Sequence, residues 1–379
     1  MGFKQVKSIL PPQTYYFSGS EAAAEGAIAA GCRYFAGYPL TPATDIAEVF
    51  SARSKEVGAV FIQMEDEIAS ICSIIGASWA GAKAMTATSG PGFSLMQEAM
   101  GYAALTETPI VIALIQRPGP STGQGTTFAS ADVMQCKWGS QGDYQVIALC
   151  PWSVQEMYDQ TINAFNLAEQ YRVPVILLSE AAISRLEERL EIKEELRIFD
   201  RTEATGVAAL GIPSDNQVQP MPIFGRGHQT KVTGSTRGYS WGVASDKAVQ
   251  ETLVSRLHHK IMDNRDEIIE YDAYYLENAE VVVIAYGFTA RSSLFAVKAL
   301  QQDGKKVGML KLKTIWPFPD KLVAKVGSEV KKIFVPEMNM GQIAGEVMKY
   351  ACSEVISYNQ IDGDIIPPDT IINELRRLL

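Results

Sequence analysis

The sequence predicts an α/β protein of two doubly wound parallel sheets, a larger one followed by a smaller. Three observations carry that prediction. Short runs such as AMTATS (84–89), PIVIALIQR (109–117) and VPVILLSE (173–180) are apolar almost throughout, so both faces of their sheet must be covered. Helical stretches alternate with these strands, the pattern of a parallel sheet wrapped by helices. After an irregular stretch, the alternation begins again at AEVVVIAYG (279–287).

Each element has its own justification. AVFIQME (59–65) is strand-like, and DEIASICSIIGASWAGA (66–82) reads as a largely buried helix. YQVIALCP (144–151) is a further strand. Residues 153–172 form an amphipathic helix, with Ser153 as N-cap and Glu156 three residues on, the pattern of a capping box. The charge-rich run 185–201 reads as a solvated connector. Residues 202–245 lack a steady period but contain Phe224, Tyr239 and Trp241, so they read as an ordered crossover rather than a disordered linker. A long helix is predicted over 246–269. Then follow a strand at 279–287, a helix at 289–302, the strand-rich stretch 306–319, a helix at 320–330, a strand at 331–339, a helix from Gly341 and another from Pro367. The domain boundaries implied are 1–201, a crossover over 202–245, and 246–379.

Composition narrows the function. A net charge of -9 argues against nucleic acid as the partner. No apolar run approaches the roughly 18 residues of a membrane span, and the N-terminus lacks the apolar core of a signal peptide. The five cysteines contain no CxxC pair, which suits reduced thiols in a cytoplasmic setting and leaves no run to hold an iron–sulfur cluster on this chain. His258 and His259 are adjacent and point to different faces of a helix, and His228 has no Cys or His near it in sequence. No metal site and no Ser-His-Asp arrangement is predicted.

In parallel α/β sheets, ligands bind beyond the carboxyl ends of the strands. In the first half those ends carry GYPLTPATD (37–45), QMEDE (63–67), TSGPG (88–92) and QRPGPSTGQG (116–125). A threonine, an acidic cluster, a tight glycine turn and an arginine before a glycine-rich loop thus share one edge. The turn could hold phosphate, but no GxxxxGK[ST] or GxGxxG context surrounds it, and Pro91 removes a backbone donor that a phosphate cradle uses. Glu65, Asp66 and Glu67 each also suit the start of a helix, where the dipole favours an acid.

A Glu opening a helix, followed some twenty residues later by a strand ending ATSGPG, resembles the pyrimidine-binding domain of thiamine diphosphate enzymes. With GYPLTPATDIAEVF, QRPGPSTG, WGSQGDY and AFNLAEQYRVPVILLSE, and with TIWPFPD and VPEMNMGQIAGEV in the second domain, the chain resembles the alpha subunit of 2-oxoacid:ferredoxin oxidoreductases, closest to the 2-oxoglutarate type. The resemblance implies a pyrimidine-type thiamine diphosphate domain and a smaller transketolase C-terminal-like domain. It implies that Glu67 binds the cofactor's aminopyrimidine and drives proton transfer, with Glu65 and Asp66 as positional alternatives. Such a role needs a dry setting, for which Ile68, Ala69 and Ile71 stand nearest in sequence. Thr88, Ser89, Gly90, Pro91 and Gly92 then form the turn on which the flat ring packs. Thr41 and Arg117 match positions that hold the 2-oxoacid, and the planar fork of arginine suits a carboxylate.

The chain departs from the family at two places. After GPSTG the family continues with Leu-Pro and later Gln-(Gly/Ala)-Asp. Here the sequence is QGTTFASADVMQ (124–135), a loop expected to border the substrate side chain, with Gln124 and Thr126 facing it. Arg237 stands where related chains often carry histidine. The Gly-Asp-Gly and Asn-Asn signature of the diphosphate–Mg²⁺ domain is missing, so a beta subunit is expected to supply the diphosphate grip, Mg²⁺ and a 4Fe–4S cluster in an (αβ)2 assembly. The implied reaction converts a 2-oxoacid, CoA and oxidised ferredoxin into acyl-CoA, CO₂ and reduced ferredoxin. A pyruvate or branched-chain 2-oxoacid enzyme of the same kind, or a non-oxidative thiamine diphosphate decarboxylase, is the alternative.

Overall fold

The computed structural model describes residues 2–204, 218–228, 230–238, 243 and 245–379; Tyr239 and Trp241 lie outside the described residues. Six parallel strands form most of the first sheet, in the order Ile147–Leu149, Pro174–Glu180, Ile110–Gln116, Lys83–Thr88, Cys32–Gly37 and Val60–Gln63. Within this sheet the chain enters at Cys32–Gly37, moves outward to Val60–Gln63, then returns to Lys83–Thr88 on the other side. The strand order therefore reverses between Cys32–Gly37 and Lys83–Thr88, and that crevice is where an open α/β sheet takes its ligand. Strands Lys83–Thr88, Ile110–Gln116 and Pro174–Glu180 are buried along their whole length, as their unbroken apolar character requires.

The seventh strand comes from far along the chain. Thr314–Trp316 pairs antiparallel with Ile147–Leu149 and closes that edge. The second sheet has the order Tyr271–Tyr274, Val307–Leu312, Val281–Ala285, Lys332–Glu337, Glu354–Asn359, parallel except at Tyr271–Tyr274.

The run 185–201 is not a solvated connector. Glu187–Glu191 pairs antiparallel with Thr14–Ser18, and Glu195–Phe199 with Phe3–Lys7. The reason is a period of two beneath the charges: Leu190, Ile192, Leu196 and Ile198 all point inward while the acids face water. Arg201 closes the run as a buried residue, its guanidinium donating to both oxygens of Glu169, each at 2.6 Å. The helix Val154–Tyr171 starts where predicted, but its capping box is only half made. Ser153 Oγ accepts from the Glu156 amide at 3.1 Å, whereas Glu156 Oε2 accepts from the amide of Trp152 rather than of Ser153. In the crossover, Met221 and Ile223 are buried and Phe224 stacks on Trp79 with centroids 5.6 Å apart.

Candidate active site

Glu67 is the first residue of the helix Glu67–Trp79, placed there by Asp66, whose carboxylate caps the helix by accepting from the Ala69 amide at 2.7 Å. Capping occupies Asp66, and Glu65 is exposed, so of the three acids only Glu67 is buried, at 4% exposure. Burial raises its pKa; the neighbouring Asp66 charge adds to that, while its own backbone amide and Arg117 pull the other way. The dryness does not come from Ile68, which is 47% exposed, but from the turn opposite.

That turn follows strand Lys83–Thr88 and opens the helix Gly90–Leu95, with Pro91 in its first turn. A Cβ on Gly92 would stand 2.3 Å from Glu67 Oε1 and 2.2 Å from Thr88 Oγ1. Only glycine lets the helix start lie down on the carboxyl group. Thr88, Ser89, Gly90 and Gly92 are all buried, and Ser89 Oγ is enclosed with no hydrogen-bond partner.

Arg117 leaves the end of strand Ile110–Gln116 and is 5% exposed. Its Nη1 donates to the carbonyl of Thr41 at 2.7 Å, which brings the two sequence-predicted substrate residues together across the crevice. Its Nε is buried without a partner among the described residues, so part of the fork remains unused there. Gly125 lies beside both, a Cβ there standing 3.3 Å from Arg117 Nη1 and 3.9 Å from Thr41 Cβ. Arg117, Gly90, Pro91, Ser94 and residues 118–121 line a cavity of ≈ 370 Å³. Gln124 and Thr126 are not part of that lining. Gln124 Oε1 instead accepts from Thr127 and abuts Gly363 of the second sheet's loops, and the Thr126 carbonyl accepts from Arg185.

Sequence reasoning missed Asp132, which lines the same cavity. Its carboxyl group sits 2.9 Å from where a Cβ on Gly90 would be, and burial raises its pKa to about 7 against the opposing pull of Arg117. A lone acid in an irregular loop carries no pattern; its place before the helix Val133–Trp138 suggests a cap, yet its side chain makes no capping bond.

Arg237 is elsewhere. Buried, it donates to the Leu105 carbonyl at 3.2 Å beside an internal charge cluster in which Glu107 accepts from both Arg256 and Lys260. Burial lowers the pKa of Arg237, with the Glu107 charge opposing. Of the other histidines named above, His258 meets Gln145 at 3.0 Å and His259 meets Asp263.

A buried carboxyl under a Gly-Pro-Gly turn thus stands at the switch point of a doubly wound α/β sheet, where enzymes of this fold class take their ligands. Comparison with known proteins gives the particular family. Residues 25–253 match the family described as pyruvate flavodoxin/ferredoxin oxidoreductase, thiamine diphosphate-binding, and residues 279–371 match pyruvate:ferredoxin oxidoreductase core domain II. The chain belongs to the pyruvate flavodoxin/ferredoxin oxidoreductase family. It is 46% identical to the 2-oxoglutarate synthase subunit KorA of Methanothermobacter marburgensis, covering 96% of this chain and 98% of that one. It is 47% identical to the subunit of the same name in Methanocaldococcus jannaschii, over 94% of this chain and 97% of that one. Among solved structures, a 2-oxoglutarate:ferredoxin oxidoreductase from Magnetococcus marinus with 2-oxoglutarate, coenzyme A and succinyl-CoA bound superposes with a TM-score of 0.92 at 31% identity, over 97% of this chain. This chain spans 65% of the length of that one. A split-gene transketolase shares the fold, with a TM-score of 0.56 at 11% identity, over 95% of this chain and 97% of that one.

Proposed function

We propose that the chain is the cofactor-activating subunit of a 2-oxoglutarate:ferredoxin oxidoreductase, which converts 2-oxoglutarate and CoA to succinyl-CoA and CO₂ with electrons passed to ferredoxin. The observation that carries this reading is the pairing of the buried Glu67 carboxyl under Gly92 with a cavity that holds Arg117. The residues fit one half of thiamine diphosphate. A carboxyl group kept dry, with its pKa raised by burial, can share a proton with a ring nitrogen of the aminopyrimidine. The small residues 90–92 leave room for a flat ring, and the enclosed Ser89 hydroxyl has no hydrogen-bond partner among the described residues. When bound, thiamine diphosphate supplies the carbon nucleophile that attacks the 2-oxo group.

This chain's residues then have separate tasks. Glu67 holds the proton at the pyrimidine and so sets the basicity of the ring's amino group. Arg117, tied to Thr41 by one nitrogen, offers its remaining donors to the substrate carboxylate. The diphosphate, Mg²⁺ and the 4Fe–4S cluster belong to a beta subunit, and two alpha–beta pairs form the enzyme. No described helix is long and apolar enough to cross a membrane. Co-expression with the neighbouring beta subunit, followed by CoA-dependent reduction of ferredoxin with 2-oxoglutarate, pyruvate and 2-oxoisovalerate in turn, tests the assignment. Preference for 2-oxoglutarate is expected; a colourless complex that releases CO₂ without reducing ferredoxin would replace it with a non-oxidative decarboxylase.

A further inference from the structure

We infer that Asp132 is a positioning residue that sets how much of the Arg117 charge the substrate meets. The inference rests on reading the Arg117 cavity as the 2-oxoacid pocket. Asp132 and Arg117 line that cavity together. Asp132 is fixed there from several sides. Its amide donates to Gln116 Oε1 at 3.0 Å, and its two carboxyl oxygens lie 2.9 and 3.1 Å from where a Cβ on Gly90 would stand. Oδ2 is buried with no hydrogen-bond partner among the described residues. A carboxylate in that place has lost water on one oxygen and gained no donor for it, which favours the protonated form.

Among the described residues the Arg117 guanidinium at the strand end acts on it; the Cys136 thiol on the helix that follows is pushed up by burial and then by the Asp132 charge, so it stays neutral. Arg117 favours the ionised acid and burial the neutral one, and burial prevails up to about pH 7. The neutral acid leaves the whole guanidinium charge to an incoming anion. The ionised acid offsets that charge and repels the anion in a low-dielectric pocket. By reciprocity, an anion bound at Arg117 holds the proton on Asp132, so substrate binding takes up a proton above neutrality.

The test uses the complete enzyme with its beta subunit. The KM for 2-oxoglutarate is measured from pH 6 to 9 for the wild type, for Asp132→Asn and for Arg117→Lys. The wild-type KM is expected to rise by up to about tenfold per pH unit above neutrality, with kcat free of that limb. Asp132→Asn is permanently neutral and of the same size, so its KM should lose this rise. An Asp132→Asn enzyme with the wild-type slope overturns the inference while leaving the pocket intact. An Arg117→Lys enzyme whose KM matches wild type at every pH overturns the pocket reading and the inference with it. Should Asp132→Asn fail to assemble, calorimetric titration of the wild-type enzyme with 2-oxoglutarate in buffers of different ionisation enthalpy decides. Net uptake approaching one proton at pH 8 and none at pH 6 supports the inference; no uptake at either pH overturns it.

Discussion

Glu67 and Gly92 fit so closely that each constrains the other. Replacing Gly92 by Ala would drive a methyl group to within 2.3 Å of Glu67 Oε1, so the carboxyl group must move or the helix start must lift. Gly92→Ala is therefore expected to cost activity through displaced cofactor, read as a raised apparent Kd for thiamine diphosphate. Glu67→Gln keeps the shape but cannot share a proton with the pyrimidine. General acid–base help of this kind is worth about 10²–10⁴-fold. Exchange of the cofactor's C2 proton, followed by NMR in the assembled enzyme, should slow by that order. Exchange at the wild-type rate would move the role to another acid. At Arg117, substitution by Lys preserves charge but loses the fork. A hydrogen bond to a charged group contributes roughly 1.5–3 kcal/mol, so kcat/KM for 2-oxoglutarate should fall by about one to two orders of magnitude. Cofactor affinity should be unchanged in that variant. The sequence pointed to Glu67, Thr41 and Arg117 as candidates because they sit at fixed offsets in long motifs, and the structure brings Thr41 and Arg117 together. Asp132 was illegible because its environment is built by Gln116, Arg117 and Gly90, from another strand end and another turn, none of them marked by local pattern.

At the scale of elements, the loop that carries Asp132 is a bridge between the two sheets. The Phe128 amide donates to the Gly363 carbonyl at 2.9 Å, the Ser130 amide to Met338 at 3.1 Å, and Asn339 Nδ2 to the Ser130 carbonyl at 2.7 Å. Gln342, in the first turn of the helix Gln342–Tyr350, holds the loop from both sides, donating to the Ala131 carbonyl at 2.6 Å and accepting from the Met134 amide at 2.8 Å. Residues 338–363 of the second sheet and its helices thus hold the loop 128–134 in place. Gln342→Ala strips two backbone groups of their partners, each worth about 1–3 kcal/mol if left buried. Limited proteolysis should then cut within residues 118–134 faster than in the wild type, and the KM for 2-oxoglutarate should rise more than kcat falls. Equal cleavage rates would show the loop to be self-supporting. The elements misread from sequence share a cause. Glu187–Glu191 and Glu195–Phe199 are short, charged on one face, and paired with strands near the N-terminus. The charge hid the alternation, and the partners lay too far away to be inferred.

Over the whole molecule, burial of carboxyl groups links stability to pH. Glu180 ends strand Pro174–Glu180 in the first domain, fully buried. It accepts from Ser130 Oγ at 2.7 Å and from the Phe288 amide at 2.9 Å, capping the helix Gly287–Gln302 of the second. Burial raises its pKa to about 7, with those two donors opposing. The folded chain therefore keeps a proton that the unfolded chain gives up near pH ~4.3. The associated stability is complete at low pH and is lost as pH rises through about 7, on the order of 3 kcal/mol in full. The urea midpoint should fall between pH 5 and 8, and Glu180→Gln should flatten that fall while lowering the midpoint at pH 5. A midpoint that rises with pH over this range would mean that Glu180 is ionised throughout. The sequence revealed two α/β units at this scale, because unbroken apolar strands can be recognised one by one. It did not reveal how closely they interlock, since a strand of three residues such as Thr314–Trp316 has no period of its own.

That short strand has a consequence for how the protein is made. Ile147–Leu149 is synthesised well before Thr314–Trp316, yet it is the neighbour that Thr314–Trp316 covers. At about 5–20 residues per second, translation leaves this edge bare for on the order of 10–30 s. A bare edge offers unpaired backbone groups to any other chain within reach. The nascent first half is therefore exposed to wrong pairing, and a gene truncated after Leu149 but before Thr314 should yield inclusion bodies rather than a soluble half-protein.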